Sequence, residues 1–119
     1  MEVRKLIFVC PQLGVTDYLS WHPNNTFSDL INILKSKYEI QVLKYMTKNF
    51  ENIRENISLN EVTIKLHYFD ENGNIITIGN MIKVEDIAKK GITKIYWNPE
   101  PIGGSIGYPK KYLLNIFMI

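Results

Sequence analysis

A tyrosine followed by two lysines, near the C-terminal end of the sequence, is the first candidate reactive group. Tyr108 comes after the glycine-rich stretch 103–107 and is followed by Pro109, Lys110 and Lys111. Proline suits the first turn of a helix, where unpaired N–H groups and the helix dipole favour phosphate. A tyrosine hydroxyl is weakly nucleophilic at its ordinary pKa of about 10, so attack on a phosphodiester needs cationic charge nearby. The pattern predicts a phosphoryl-transfer nucleophile at Tyr108, assisted by Lys110 and Lys111.

A histidine on a predicted strand is the second candidate. Because alternate residues of a strand point to opposite faces, segment 61–69 has two different faces. One face is apolar and consists of Val62, Ile64, Leu66 and Tyr68. The other is polar and consists of Glu61, Thr63, Lys65 and His67. His67 therefore projects from a rigid element beside Lys65, a setting in which it could hold a metal ion for the same reaction.

Two functions without chemistry compete with this interpretation. An open sheet face that presents Thr63, Lys65, His67 and aromatic residues such as Phe69 would suit a module that binds single-stranded nucleic acid. The pair Gly103-Gly104 is similar to the tail of a ubiquitin-like modifier, but the sequence continues to Ile119 and would need cleavage after Gly104. Metalloprotease, Walker, Rossmann and paired Cys-x-x-Cys motifs are absent from the sequence.

The N-terminal half of the sequence predicts two strands and one helix. Residues 3–10 read as a strand that ends at Pro11, and residues 12–25 read as a loop. Helix 27–37 follows, with Thr26 as its N-cap. Alternation in segment 39–47 favours a second strand. Residues 49–60 are polar and suit either a hairpin connection or a short helix.

The C-terminal half begins with a hairpin, because the Asn-Gly pair in turn 70–74 joins strand 61–69 to strand 75–78. A short helix over 84–90 ends at Gly91, and a strand over 93–97 follows. The Pro- and Gly-rich stretch 98–107 then interrupts the sheet before the final helix that starts at Pro109.

These elements predict one α+β domain over residues 1–119, with a single antiparallel sheet, helices on one face and the other face free. The sequence has 14 Lys+Arg and 12 Asp+Glu, so its overall charge does not by itself indicate a nucleic-acid partner. The lone Cys10 excludes an internal disulfide and favours an intracellular setting. No apolar run approaches the length of a membrane span and no signal-peptide pattern is present, so we expect no membrane association.

Three segments resemble motifs of the HUH-endonuclease replication initiators, the Rep proteins of rolling-circle plasmids and small single-stranded DNA viruses. Residues 7–12 are similar to the first motif, a strand ending in Pro-Gln. Residues 65–67 are similar to the His-hydrophobic-His metal motif, with lysine in place of the first histidine. Residues 108–111 match the Tyr-x-x-Lys form of the catalytic motif. The small size, the Ile-, Asn- and Lys-rich composition and the single motif histidine are most similar to the Rep proteins of rudiviruses, which are archaeal viruses.

The resemblance implies a ferredoxin- or RRM-like HUH nuclease core that nicks and rejoins single-stranded DNA at a specific site to start viral replication. The Tyr108 hydroxyl would attack the scissile phosphate, form a 5′-phosphotyrosyl link and release a 3′-hydroxyl. The implied cofactor is Mg²⁺ or Mn²⁺, acting as a Lewis acid. His67 is the implied metal ligand, with Glu61, or Glu51 and Glu55, completing the ligand set.

Further expectations follow from the same resemblance. Lys65 is an alternative direct contact to the phosphate. Tyr112 shares the helix face of Tyr108 and is the alternative nucleophile. The apolar tail 112–119 is either the last piece of the core or a dimer surface, and we favour a homodimer. The helicase and polymerase would be separate proteins, and the expected location is the host cytoplasm.

Overall fold

The structure is a computed structural model that describes residues 4–50, 53 and 56–102. It contains five strands and three α-helices, with a short 3₁₀ turn at Leu59–Glu61. In chain order these elements are β1 (Lys5–Cys10), β2 (Val15–Ser20), α1 (Phe27–Lys37), α2 (Glu39–Asn49), β3 (Val62–Phe69), β4 (Ile75–Ile78), α3 (Val84–Ala88) and β5 (Lys94–Pro101). None of the helices in these described ranges is long and apolar enough to cross a membrane.

The five strands form one mixed sheet in the order β2-β1-β5-β3-β4. The β1/β2, β3/β4 and β3/β5 pairs are antiparallel, but β1 and β5 run parallel, with Phe8 in register with Ile95. The α+β class is therefore confirmed, whereas the prediction of a wholly antiparallel sheet is wrong. The physical reason is that β1 inserts beside β5, and a long-range pairing of this kind leaves no local signal in the sequence.

The core lies on one face of the sheet, where all three helices pack. Alternate residues of β3 are buried, as the sequence predicts: Val62, Ile64, Leu66 and Tyr68. They join one hydrophobic cluster with buried residues of β1, β5 and the three helices. Trp97 of β5 is fully buried and stacks at a tilt on Tyr38, with ring centroids 5.8 Å apart. Burying large aromatic and branched side chains in this way supplies most of the driving force for folding.

Helix α1 has the predicted bounds because both its N-terminus and its apolar stripe are encoded locally. Thr26 is the N-cap, and the Asp29 carboxylate accepts the backbone N–H of Thr26 at 2.9 Å. This contact is the Asp29 half of a capping box. Leu30 and Leu34, one turn apart, are buried against the sheet.

Segment 39–47, predicted as a strand, belongs to helix α2, so that prediction is wrong. The buried residues of the helix are Val42 and Met46, which are four positions apart. Ile40, which would share a strand face with Val42, is instead 66% exposed. The helical spacing of the two buried residues outweighs the β-propensity of Ile40 and Val42, because burial against the sheet decides the conformation.

Two further predictions are corrected in the segments read as irregular. The predicted loop 12–25 contains the edge strand β2, whose single buried residue is Leu19, so its apolar alternation is too weak to detect. The Pro- and Gly-rich stretch 98–107 is predicted to interrupt the sheet from residue 98, but β5 continues through Pro99 to Pro101. β1 is paired with β5 only at residues 94–96, so the missing N–H groups of both prolines interrupt no pairing with β1.

The predicted β3/β4 hairpin is confirmed, with β4 at the predicted residues and β3 starting one residue later than predicted, at Val62. His67 pairs with Thr77, and the Asp70 carboxylate accepts the backbone N–H groups of Asn72 and Asn74 within the turn. Gly73 has a φ of 80°, the left-handed conformation that glycine adopts without strain. The predicted helix 84–90 is shorter in the structure, where α3 covers Val84–Ala88.

Candidate functional site

The predicted nucleophile and its two lysines lie outside the described residues: Tyr108, Lys110 and Lys111. The same is true of the alternatives Tyr112, Glu51 and Glu55 and of the diglycine Gly103-Gly104. His67, Lys65 and Glu61 are described, so the geometry that bears on function is that of strand β3 and its neighbours.

The sheet face opposite the helices is the outer face. Its central part is formed by Thr63, Lys65, His67 and Phe69 of β3 and by Lys94, Tyr96, Asn98 and Glu100 of β5. The antiparallel register places His67 opposite Tyr96 and Thr63 opposite Glu100. Directly opposed residues of neighbouring strands lie on the same face and within contact distance. The polar face predicted for β3 is therefore extended by a second strand, β5.

Three rings meet on the outer face, and we call them the aromatic cluster: His67, Phe69 and Tyr96. The rings of His67 and Tyr96 are stacked, with centroids 5.4 Å apart and planes inclined by 13°. Phe69 meets both rings edge-on, 5.4 Å from the centroid of His67 and 5.1 Å from that of Tyr96. Phe69 is 44% exposed, whereas His67 and Tyr96 are half-buried. The cluster thus presents aromatic surface to solvent from paired strands, not from a loop.

Lysines stand beside the aromatic cluster. Lys65 and Lys94 are exposed, and each lies two residues from a cluster ring on its own strand. At about 3.3 Å per residue, each lysine backbone is about 7 Å from that of the nearest ring residue. Within the part of the chain that the structure describes, neither lysine forms an ion pair. Each of the two strands therefore carries one positively charged side chain two residues from the cluster.

The predicted metal ligands His67 and Glu61 do not converge. Glu61 ends the 3₁₀ turn before β3, whereas His67 lies near the opposite end of that strand. Their backbones are about 20 Å apart at about 3.3 Å per residue, which is too far for one ion. Among residues 4–50, 53 and 56–102, no group of three or more His, Cys, Asp and Glu side chains could hold a metal ion. The pair does not fit a shared divalent ion, and His67 instead stacks on Tyr96.

Two side chains with shifted pKa values, those of Cys10 and Lys35, take part in the packing of the fold. Burial raises the pKa of the Cys10 thiol, which keeps it in the unreactive neutral form. Burial lowers the pKa of Lys35, whose ammonium donates a hydrogen bond to the backbone carbonyl of Val62 at 2.7 Å. That contact ties helix α1 to the start of β3 and so helps to fix the strand that carries His67.

Sequence reasoning missed Tyr96 as a member of this site. The alternation of Ile95, Tyr96 and Trp97 indicates that Tyr96 points away from the core. It does not indicate which strand lies beside it, because the pairing of His67 with Tyr96 joins residues that are 29 positions apart. Only the register of β3 and β5 brings the second ring to the cluster.

No protein-family model matches the chain, and no curated protein matches it. Among solved structures, the chain is similar to the C-domain of the Hsp90 co-chaperone Cns1 from Saccharomyces cerevisiae, with 17% identity and a TM-score of 0.55. That match covers 82% of this chain and 60% of the Cns1 chain, so this chain spans less than two thirds of its length. The likeness shows a shared fold.

Two weaker likenesses are to small domains. The AtNBR1 PB1 domain matches with 10% identity and a TM-score of 0.49, over 82% of this chain and 98% of the domain. A computationally designed protein based on human erythrocytic ubiquitin matches with 20% identity and a TM-score of 0.45, over 85% of this chain and 96% of its own.

Proposed function

We propose that the outer face of the sheet binds single-stranded nucleic acid. The observation that carries this proposal is the aromatic cluster, in which the stacked pair His67 and Tyr96 adjoins the exposed ring of Phe69. Unpaired bases stack on aromatic side chains, and each stacked base contributes about 1–3 kcal/mol. Because every base has such a face, a platform of this kind binds single strands with little sequence preference.

The lysines supply the second part of the interaction. Lys65 lies on β3 and Lys94 on β5, each beside the aromatic cluster. The phosphates of a nucleic acid whose bases stack on the cluster would pass these two lysines. A lysine that neutralises a phosphate releases condensed counterions, so binding weakens as salt is added. Stacking then gives the affinity that persists at higher salt, and the lysines give the salt-dependent part.

The test is fluorescence anisotropy with a labelled single-stranded oligonucleotide of mixed sequence, measured in EDTA over a range of salt concentrations. Phe69→Ala should weaken binding about tenfold, because it removes one stacking surface. Lys65→Gln should lower the slope of log Kd against log salt by about 0.7. Matched controls on the exposed side of helix α2, Ile40→Ala and Lys44→Gln, should leave both quantities unchanged.

Wild-type protein that shows no binding at low salt would overturn the proposal. Equal losses of oligonucleotide affinity in Phe69→Ala and Ile40→Ala would also overturn it, because the affinity would then not depend on the aromatic cluster. A circular dichroism spectrum and an unfolding curve for each variant show whether a loss reflects the outer face or the fold.

The second candidate is the strand-nicking reaction that the family resemblance implies. Lys65 and His67 lie side by side on the outer face, so a bound phosphodiester would pass both of them, and this supports the candidate. In this reaction the Tyr108 oxygen bonds to the scissile phosphorus, the bond from phosphorus to the 3′ oxygen breaks, and the tyrosine proton passes to that oxygen, which gives the free 3′-hydroxyl. The mixed sheet would serve here as the HUH-type nuclease core. Mg²⁺ or Mn²⁺ would need ligands other than the pair His67 and Glu61.

Covalent adduct formation tests the second candidate directly. The 5′-phosphotyrosyl link retains the 3′ part of the DNA, so an oligonucleotide labelled at its 3′ end should leave a labelled protein band on a denaturing gel with Mn²⁺. Tyr108→Phe should abolish that band, and Tyr112→Phe should keep it. Stacking-dependent binding without an adduct across many sequences would leave the binding module as the function. An adduct that persists in Tyr108→Phe would make Tyr112 the nucleophile.

A further inference from the structure

In the part of the chain that the structure describes, strand β4 forms an open edge of the sheet. It is the last strand in the order β2-β1-β5-β3-β4 and pairs with β3 on one side only. Within the described residues, the backbone of its other edge has no hydrogen-bond partner. Its sequence is Ile-Ile-Thr-Ile, without charge or proline. Exposed edge strands in natural proteins are commonly protected by charges, proline or bulges, because an open edge pairs readily with another strand.

The other edge strand, β2, is protected in such a way. Asp17 lies in the middle of β2 and contacts Lys37 and Tyr38 of the helix layer. A charged side chain turned toward the core side of an edge strand discourages pairing with a further strand. The contrast between the two edges singles out β4 as the edge that can accept a partner.

An apolar groove of about 290 Å³ runs beside β4 on the inner side of the sheet. Its apolar lining comes from Tyr68, Ile76, Ile78, Ile82 and Ile87. Large apolar side chains of β4 and of the segment after it are exposed: Ile75, on the outer face, is 64% exposed, Met81 78% and Ile82 42%. Exposed apolar surface that adjoins an open strand edge is typical of an interaction site.

The charges on the groove indicate which partner fits. Asp86 and Lys90 both line it, so one acid and one base lie four positions apart on the same surface. A surface that carries both signs in this way is complementary to itself under twofold symmetry. Asp86 is now paired with Lys89 at 3.4 Å, but both side chains are more than half exposed, and such pairs exchange partners at little cost.

We propose that a second copy of this chain covers this edge, with β4 pairing antiparallel to β4 of the second copy around a twofold axis. Opposed residues must share a sheet face, and an axis at Thr77 satisfies this by placing Ile76 of one copy opposite Ile78 of the other. In the proposed dimer Asp86 of each copy faces Lys90 of the other, because both residues line the groove beside β4. This inference is independent of nucleic-acid binding, and it places the dimer contact in β4 instead of the tail 112–119.

The first test is sedimentation equilibrium of the full chain over a wide concentration range, with charge-swap variants. The interface is small, so we expect reversible dimerisation with Kd in the micromolar range or weaker. Asp86→Lys and Lys90→Asp should each weaken self-association at least about tenfold, because each creates two like-charge contacts. An equimolar mixture of the two variants should regain the wild-type association, because opposite charges then face each other at both contacts.

The second test uses the strand itself. Thr77→Lys places two lysines directly opposite each other at the proposed axis and should give a monomer. Thr63→Lys adds the same charge to the outer face of β3, away from the edge, and should dimerise like the wild type. A chain that is monomeric at every concentration would refute the proposal. A dimer that neither Thr77→Lys nor the charge swaps weaken would also refute it, because its contact would then lie elsewhere.

Discussion

At the scale of single residues, Asp17 is a carboxylate of an edge strand that contacts the helix layer. Its Oδ2 atom lies 2.6 Å from the Lys37 ammonium and accepts a hydrogen bond from the Tyr38 hydroxyl at 2.9 Å. Burial pushes the pKa of Asp17 upward, but hydrogen bonds from Lys37, Tyr38 and the Tyr18 backbone outweigh it and hold that pKa below its ordinary value. Burial and the Asp17 charge together raise the pKa of Tyr38 to about 12.

These shifts predict how stability depends on pH. The lowered pKa of Asp17 means that its contribution is present above the unfolded-state value of about 3.9 and is lost as the pH falls through the folded-state value. Asp17→Asn should lower the free energy of unfolding by about 1–2 kcal/mol at pH 7. It should also flatten the fall in stability below about pH 4. Urea unfolding from neutral to acid pH measures both quantities.

The exposed turn residue Glu71 provides the control for this prediction, because Glu71→Gln removes one carboxylate without removing a contact to the helix layer. Its unfolding curves should match those of the wild type at neutral pH. Asp17→Asn could instead keep both the wild-type stability at neutral pH and the wild-type fall in stability at acid pH. The contact of Asp17 with Lys37 and Tyr38 would then contribute nothing measurable to the stability of the fold.

The residue pattern of β3 was readable from sequence, and the full site was not. Strict alternation in segment 61–69 correctly places Lys65 and His67 opposite the core. Tyr96 enters the cluster only through the pairing of β3 with β5, a tertiary contact that no local pattern encodes. His67 and Glu61, the expected metal ligands, lie near opposite ends of β3, because residues that share a strand face are neighbours only when they are close along the strand.

At the scale of elements, the β3/β4 turn depends on one backbone conformation. Gly73 has a φ of 80°, and a Cβ atom there would have no heavy atom within 4 Å. The strain of an L-residue in this conformation is therefore the main effect of Gly73→Ala, and it should lower the free energy of unfolding by about 1 kcal/mol. Urea or thermal unfolding monitored by circular dichroism measures the change.

Gly79→Ala is the matched control for the turn. Gly79 has no positive φ, and its added Cβ would meet Ile82 Cγ1 at 3.6 Å, an ordinary contact. We expect no destabilisation there, because alanine restricts the unfolded chain more than glycine does. Equal losses in the two variants would show that the turn conformation is not the cause.

Elements with strong local signals were predicted correctly, and elements defined by burial were not. Helix α1 has a capped start and an apolar stripe, and the hairpin has an Asn-Gly turn, so both could be recognised. Helix α2 has β-branched residues at positions 40 and 42, and only its packing on the sheet shows that Val42 and Met46 form its buried side. Propensity is a weak prior where tertiary contacts decide.

At the scale of the whole molecule, the two proposals make a joint prediction. A twofold axis perpendicular to the sheet turns both outer faces to the same side, so each dimer carries two aromatic clusters on one surface. Three strand spacings of about 4.8 Å separate the two β3 strands, which places them about 14 Å apart. Because the twofold axis presents the two clusters in opposite orientations, one single strand must turn back to stack on both in the same sense, which about 12 nucleotides allow and about 4 do not.

Binding of the longer oligonucleotide should therefore be coupled to dimerisation. By linkage, the long strand should strengthen self-association as much as self-association strengthens its binding. At protein concentrations below the dimer Kd, Asp86→Lys and Lys90→Asp, on the groove side of the sheet, should each weaken binding of the 12-nucleotide strand about tenfold or more and leave that of the 4-nucleotide strand unchanged. Anisotropy with both lengths measures the effect, and the equimolar mixture of the two variants, which restores opposite charges at both contacts, is the control. Equal affinities of the wild type and both variants for the long strand would show that the two clusters act independently, even if binding and dimerisation each occur.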